Sequence, residues 1–164
     1  MFYFAIAAII AALDLKIKKW ISNQLNESFP IELAKGHIHI KRRINKGLAF
    51  NILQSKTNIS RILSVISFAI VFFGALKSFF VKDGRIGLKL GISLILGGGL
   101  SNTIERVRNG KVTDYISFPK FPIKSLRKVV YNIGDLAIFA GVIITFFSLL
   151  SGAKKDDYIK KHFI

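Results

Sequence analysis

Four apolar stretches, separated by basic polar segments, limit this chain to folds that can immerse or hide a great deal of hydrocarbon. The first, Phe2 to Leu13, has no charge; Asp14 interrupts it, and Leu15, Ile17, Trp20 and Ile21 continue its apolar character. The second, Ile62 to Phe80, is broken only by Lys77. The third, Ile86 to Leu100, carries Lys89 near its start and Gly97-Gly98-Gly99 near its end. The fourth, Val129 to Leu150, holds one charge, Asp135. About twenty helical residues cross a bilayer core. The second and fourth stretches reach that length outright, the first and third only with their charged ends. The chain is 51% hydrophobic, with a mean hydropathy of +0.45, more apolar than soluble domains usually are. These features predict a mainly α membrane protein with four transmembrane helices, at about 2–21, 62–80, 86–103 and 129–150.

The first stretch does not read as a cleaved secretory signal. It lacks a basic segment before the apolar run and a small-x-small cleavage site after it. Its lysines, Lys16, Lys18 and Lys19, follow the run instead, so a retained helix ending near Trp20 is expected. Between the first two helices, Gly36 to Lys41 alternates with period two, a strand signal. Asn45-Lys46-Gly47 is a turn signal, and Leu48 to Leu53 a short apolar run. A small β hairpin over about 36–56 is expected to lie on the membrane. Glu105 to Lys128 is basic, contains Pro119 and Pro122, and is expected to be a surface loop. Residues 1–150 read as one membrane domain and 151–164 as a charged tail.

The chain has no cysteine, so disulfide scaffolds and zinc-thiolate or iron–sulfur sites are excluded. Its formal charge is +16, but many of the cations flank apolar runs. That placement suits anionic lipid headgroups rather than nucleic acid.

Charged residues in or beside membrane helices are costly and tend to be functional. Asp14, Asp114 and Asp135 stand in such places. Asp114 follows the third helix and Asp135 opens the fourth, so an up-and-back path returns both to one membrane face. Two carboxylates in one site resist joint ionisation, and one keeps a proton. Such a pair can take a proton from water and polarise a carbonyl, which is peptide hydrolysis by an aspartic dyad. In a chain this basic, the spacing alone favours a structural ion pair for each acid over the dyad.

Five short motifs occur in order: Asp14-x-x-x-Lys18 with Trp20; Asn45-x-Gly47-x-Ala49-Phe50; Asn102-Thr103-Ile104-Glu105-Arg106; Gly110 followed by Val112-Thr113-Asp114-Tyr115; and Tyr131-Asn132-Ile133-Gly134-Asp135. Together with the four-helix layout they resemble signal peptidase II, the lipoprotein signal peptidase family, over residues 1 to 150. That resemblance implies Asp114 and Asp135 as the catalytic pair. It implies that Asn45, Phe50, Asn102, Glu105, Arg106 and Asn132 shape the site or bind substrate, and that Asp14, Lys18 and Gly47 form a supporting shell. It further implies a bacterial inner-membrane endopeptidase working without metal or cofactor; a monomer is the default expectation, and the charge placement gives no nucleic-acid partner. Its substrates would be prolipoproteins cleaved before a Cys that carries diacylglycerol. The β element would be an extracytoplasmic cradle resting on membrane lipid.

The chain departs from the family pattern at several places. Ser101 stands where the pattern has Gly, Glu105 where it has Asp, and Gly134 where it has Ala; Tyr115 and Tyr131 replace Phe. The glutamate is one methylene longer, and misplacement near a site can cost a large factor in rate. These changes raise the alternative of an inactive or retuned paralogue that binds lipoproteins or lipids without cleavage.

Other features have plainer readings. His37-x-His39 lacks an evident third ligand and reads as surface histidine. The Gly97 to Gly99 run suits close helix packing. Lys41-Arg42-Arg43 suits lipid contact or solvation.

Charge and resemblance disagree on orientation. The segments 22–61 and 104–128 carry seven Lys/Arg each, which by the positive-inside rule would place them in the cytoplasm. The resemblance implies the opposite. Charge bias acts mainly close to helix ends, and many of these cations are distant from them, so the extracytoplasmic site is the expectation kept. A reporter fused after Ile164 is accordingly expected to be active in the cytoplasm; an extracytoplasmic signal from it would reverse the orientation.

Overall fold

The computed structural model describes residues 1–25, 30–47, 57–80 and 85–163, with side chains as far as Gly152. Four long helices lie within these residues: α1 (Phe2–Gln24), α2 (Thr57–Phe80), α3 (Ile86–Asn109) and α5 (Ile133–Phe163). Four short strands and one short helix complete the set: β1 (Ile31–Leu33), β2 (Ile38–Asn45), β3 (Val112–Ser117), α4 (Lys124–Arg127) and β4 (Val130–Tyr131). α3 is the central helix and packs against α5, α1 and α2.

The packing is inverted relative to a water-soluble core. α2 buries Ser60, Ser64 and Ala75 and turns Ile62, Ile66, Ile70 and Phe73 outward. α5 turns Phe139, Val142, Phe146 and Phe147 outward. Small residues inside and large apolar ones outside is the arrangement expected where the solvent is lipid. Among the described residues, two helices are long and apolar enough to cross a membrane: Thr57–Phe80 and the Ile133–Gly152 part of α5. α1 and α3 were expected to span as well. Asp14, Lys16, Lys18 and Lys19 lie along the second half of α1, and Glu105, Arg106 and Arg108 in the last turns of α3. Charges set α1 apart, whereas in α3 Lys89, the glycines and Ser101-Asn102-Thr103 dilute the apolar stretch itself.

Glycines let α3 approach its neighbours. A Cβ on Gly98 would stand 2.2 Å from the Gly134 carbonyl oxygen of α5, and one on Gly97 2.7 Å from that of Ala7 of α1. Gly91 and Gly141 face each other the same way, each within 2.8 Å of the other's carbonyl oxygen once a Cβ is added. The expected packing role of the glycine run is therefore met at Gly97 and Gly98. Gly99 points elsewhere, with Phe68 its one neighbour among the described residues, at 3.8 Å.

The β element differs from the expected hairpin. β2 pairs antiparallel with β1 on one side and β3 on the other, and β4 completes a four-stranded sheet in the order β1-β2-β3-β4. The apolar run Leu48 to Leu53 lies outside the described residues. The expected surface loop at 105–128 instead holds the end of α3, then β3 and α4. α3 stops at Gly110, whose φ of +67° forms a left-handed cap, with its N–H on the Arg106 carbonyl at 2.9 Å. Glycine takes that conformation without a Cβ penalty. The chain then turns straight into β3, which the prolines after it had concealed in the sequence.

Adjacent glycines yield opposite expectations. Gly98→Ala should lower thermal stability in detergent by about 1–3 kcal/mol or more through overpacking against α5. Gly99→Ala should be neutral or stabilising by up to about 1 kcal/mol, through helix propensity alone. Equal melting temperatures for the two variants would refute the close α3–α5 contact.

Candidate active site

Two helix ends and one strand assemble the site. The Gly110 cap launches β3, which carries Asp114. Asn132 caps α5, which carries Asp135. The Asn132 side-chain oxygen accepts the Asp135 N–H at 2.8 Å, and a carboxylate oxygen of Asp135 accepts the Asn132 N–H at 3.2 Å. This is a reciprocal capping box, with Asn and Asp in place of the usual Ser/Thr and Glu. β2 supplies Asn45. Arg43 lies opposite Asp114 in the β2–β3 ladder, so Asn45, two residues on, shares that face and reaches Asp114 diagonally.

Each of the four carboxylate oxygens receives a hydrogen bond. Asp114 accepts from the amide of Asn132 at 2.7 Å and from that of Asn45 at 3.1 Å. Asp135 accepts from the amide of Asn102 at 2.8 Å and from the backbone of Asn132. The orientation of all three asparagine amides is fixed by their other ends. The oxygen of Asn102 faces the Lys18 ammonium at 2.6 Å, that of Asn45 faces the Gly47 N–H at 3.0 Å, and that of Asn132 faces the Asp135 N–H. Groups that can only donate demand an oxygen there, so each NH2 must turn to a carboxylate. Among the described residues, the ion pairs are Lys18–Asp14, Lys18–Glu105 and His39–Glu32; Asp114 and Asp135 are in none of them. The ion-pair reading of these two acids is not the arrangement found.

Asp114 is 3% exposed. Burial, and then the neighbouring Asp135 charge, push its carboxyl up to about 7 against the amides of Asn45 and Asn132 and the Lys18 charge. Its neighbour Tyr115 is pushed above the usual phenol range, first by burial and then by Asp14, so it remains a donor.

Behind the pair lies a buried charged cluster. α1 buries Ala7, Ala11, Asp14, Lys18 and Ile21, a stripe at alternating spacings of four and three that faces the neighbouring helices. Asp14 and Lys18 sit inside that stripe, 0% and 2% exposed. Lys18 pairs with Asp14 at 2.8 Å, donates to Ser101 at 3.1 Å, and lies 3.6 Å from Glu105. Glu105 also accepts from the backbone and hydroxyl of Thr113 at 2.9 and 2.7 Å. Its longer side chain is thereby tied to β3. Arg106 donates to the Gly47 carbonyl and the Ser64 hydroxyl, both at 2.8 Å, clamping the end of β2 to α2 and α3.

The structure thus brings Asn45, Asn102, Asn132, Asp114 and Asp135 together, with Lys18, Asp14 and Glu105 behind them and Arg106 and Gly47 at one side. Phe50 lies outside the described residues. Sequence reasoning did not place Ser101, Thr113, Ser64 or the Tyr115 hydroxyl in this network. A signal existed for two of them, since Ser101 and Tyr115 are both positions where a hydroxyl is added relative to the family pattern.

Comparison with known proteins agrees in sequence and in fold. The family model described as signal peptidase (SPase) II matches residues 6–151. A lipoprotein signal peptidase of Bacillus pumilus (strain SAFR-032) is 31% identical over 159 residues, 94% of this chain and 96% of the relative. A bacterial membrane enzyme solved by the in meso method at 2.3 Å resolution superposes with a TM-score of 0.76 at 26% identity, covering 93% of this chain and 90% of its own. A second, solved in meso at 1.9 Å, gives a TM-score of 0.74 at 27% identity, covering 90% and 92%.

The raised carboxyl of Asp114 predicts a pH signature. Between about pH 4 and pH 7 the folded protein keeps a proton on Asp114 that the unfolded chain has released. Stability therefore falls as pH rises through that window. Asp114→Asn removes this slope. Its melting temperature in detergent, relative to the parent, should climb from pH 4 to pH 7 and then level. Parallel curves for parent and variant would contradict the buried, protonated carboxyl.

Proposed function

The chain belongs to the signal peptidase II family and is an aspartic peptidase that removes lipoprotein signal peptides, and from that premise we propose that Asp114 and Asp135 perform the hydrolysis. The single observation that carries this reading is the donor arrangement: two neighbouring carboxylates, four oxygens, and a neutral donor on every one. A charge partner would hold both acids ionised and leave none to act as an acid. Neutral amides hold them in place and leave one proton to be shared.

In the proposed reaction the more buried Asp114 houses the shared proton and Asp135 is the base. Water attacks the carbonyl carbon before the modified Cys while Asp135 takes its proton. Asp114 gives its proton to the carbonyl oxygen, forming a tetrahedral diol. Proton return to the Cys nitrogen accompanies cleavage of the C–N bond, releasing the signal peptide as a carboxylate. Asn102 and Asn132 hold the two acids in register. Asn45, Gly47 and Arg106 tie the edge of the sheet to them, and Phe50 falls in the adjoining motif.

The setting is also part of the proposal. α1, α2, α3 and α5 cross a bacterial inner membrane, with α1 and α3 ending and α2 and α5 beginning on the side of the sheet. That side is extracytoplasmic, and the tail after 150 is cytoplasmic. The substrate is a prolipoprotein whose diacylglyceryl chains stay in lipid while it enters sideways. Large apolar side chains outward on α2 and α5 support this reading. The non-cleaving alternative is not favoured, because the matching family and the Bacillus pumilus relative are signal peptidases by name and both acids are present with their donors.

The decisive assay mixes purified protein in detergent with a diacylglyceryl-modified prolipoprotein and reads a gel shift. The parent should cleave. Asp114→Asn and Asp135→Asn, each checked for folding, should lose about a hundredfold or more, the scale of a general acid or base. Parental rates in either variant would remove the dyad.

A further inference from the structure

Asp14 is fully buried, 0% exposed, and each of its oxygens is claimed by a hydroxyl. Tyr115 donates to Oδ1 at 2.9 Å, and Ser101 donates to Oδ2 at 2.5 Å. Both hydroxyls have a second partner. The Tyr115 oxygen accepts the Ile133 N–H at 3.2 Å, the first N–H of α5 beyond its cap. The Ser101 oxygen accepts from Lys18. Three donations therefore account for the ammonium of Lys18: to Asp14, to Ser101 and to Asn102. The third of these fixes the amide of Asn102, whose NH2 then holds Asp135.

We propose that the hydroxyls of Tyr115 and Ser101 are positioning groups for the aspartate pair, acting through Asp14, Lys18 and Asn102. The proposal rests on the dyad reading above. Two hydroxyl donors hold the Asp14 side chain in place, and its Oδ2, 2.8 Å from the Lys18 ammonium, holds that ammonium. Lys18 in turn sets which end of Asn102 faces Asp135. Tyr115 adds a direct tie, since its oxygen holds the first turn of α5 two residues before Asp135, and its own strand carries Asp114 next to it. One phenol thus links α1, β3 and α5. Without it, Asp14 Oδ1 and the Ile133 N–H both lose their partner in a buried place. The family pattern has residues without a hydroxyl at both positions, so these two side chains distinguish this chain rather than restate the family.

The test uses the full chain with the gel-shift assay run as initial rates over substrate concentration, beside thermal unfolding in the same detergent. Tyr115→Phe and Ser101→Ala should each lower kcat about tenfold, the scale of a small misplacement of a reacting group, with KM within about twofold. The double variant should fall less than the product of the two, because both act on one carboxylate. Should Tyr115→Phe fail to fold, Ser101→Ala, which removes one oxygen at a helix contact, carries the test alone. Parental kcat in both variants, a loss confined to KM, or a kcat that only tracks the folded fraction overturns the proposal. Asp114→Asn and Asp135→Asn run alongside. If both are silent while the hydroxyl variants are normal, only this inference falls; activity in either aspartate variant overturns the dyad and this inference together.

Discussion

Two carboxylates held close together away from water must be satisfied without being neutralised. A lysine or arginine against either one would fix it as an anion, and two anions at that spacing repel. This chain meets the constraint with amides. Asn45, Asn102 and Asn132 each turn an NH2 to an aspartate and an oxygen to a donor on the other side. Those outer donors come from different elements: a turn N–H after β2, an ammonium on α1, and the first turn of α5. The site therefore depends on the mutual placement of α1, α3, α5 and the sheet. Lys18, the cation that orients Asn102, is kept a residue away from the pair, with Asp14 and Glu105 against it.

Such placement needs helices that come very close. In lipid, large apolar side chains gain nothing by facing another helix, so contact falls to small residues. Gly91 and Gly98 of α3 let its backbone meet Gly141 and Gly134 of α5. Asn102 lies one turn beyond Gly98 on α3, and Asp135 directly follows Gly134 on α5. The glycine seam and the amide–carboxylate bond are thus two ends of one helix contact. The sheet closes the other side. Arg106 reaches from α3 to the Gly47 carbonyl, holding the strand end that delivers Asn45.

Much of this was legible in the sequence, because the relevant signals are local. Long apolar runs with few charges marked the four long helices. The glycine triplet marked a packing seam. The missed features depend on partners distant in the chain. β3 is six residues long and sits before two prolines, so nothing local separates it from a loop. Its pairing with β2 is visible only in three dimensions. The hairpin expectation located β2 but not its partners β1 and β3, since a strand signal does not say which neighbour it will pair with. Tyr115 read as a mild replacement of Phe, because the ring packs alike. Its hydroxyl matters through Asp14, 101 residues earlier.

The departures at 101 and 134 are physically linked through that same aspartate. A Cβ on Gly134 would stand 2.9 Å from Asp14 Oδ2 and 3.0 Å from the side-chain oxygen of Asn132. Ser101 donates to that same Oδ2. An Asp14 carboxylate that takes a hydrogen bond from α3 occupies the space a methyl on α5 would need. The serine at 101 and the glycine at 134 are therefore compatible, whereas the same serine with the family's Ala at 134 would crowd Asp14 Oδ2. Glu105 fits the same account, since its extra methylene lets it bond Thr113 while staying 3.6 Å from Lys18. Counted singly, these substitutions look like erosion of a motif. Placed in the structure, they surround one buried ion pair, and each added polar atom has a partner, as fully satisfied buried networks require.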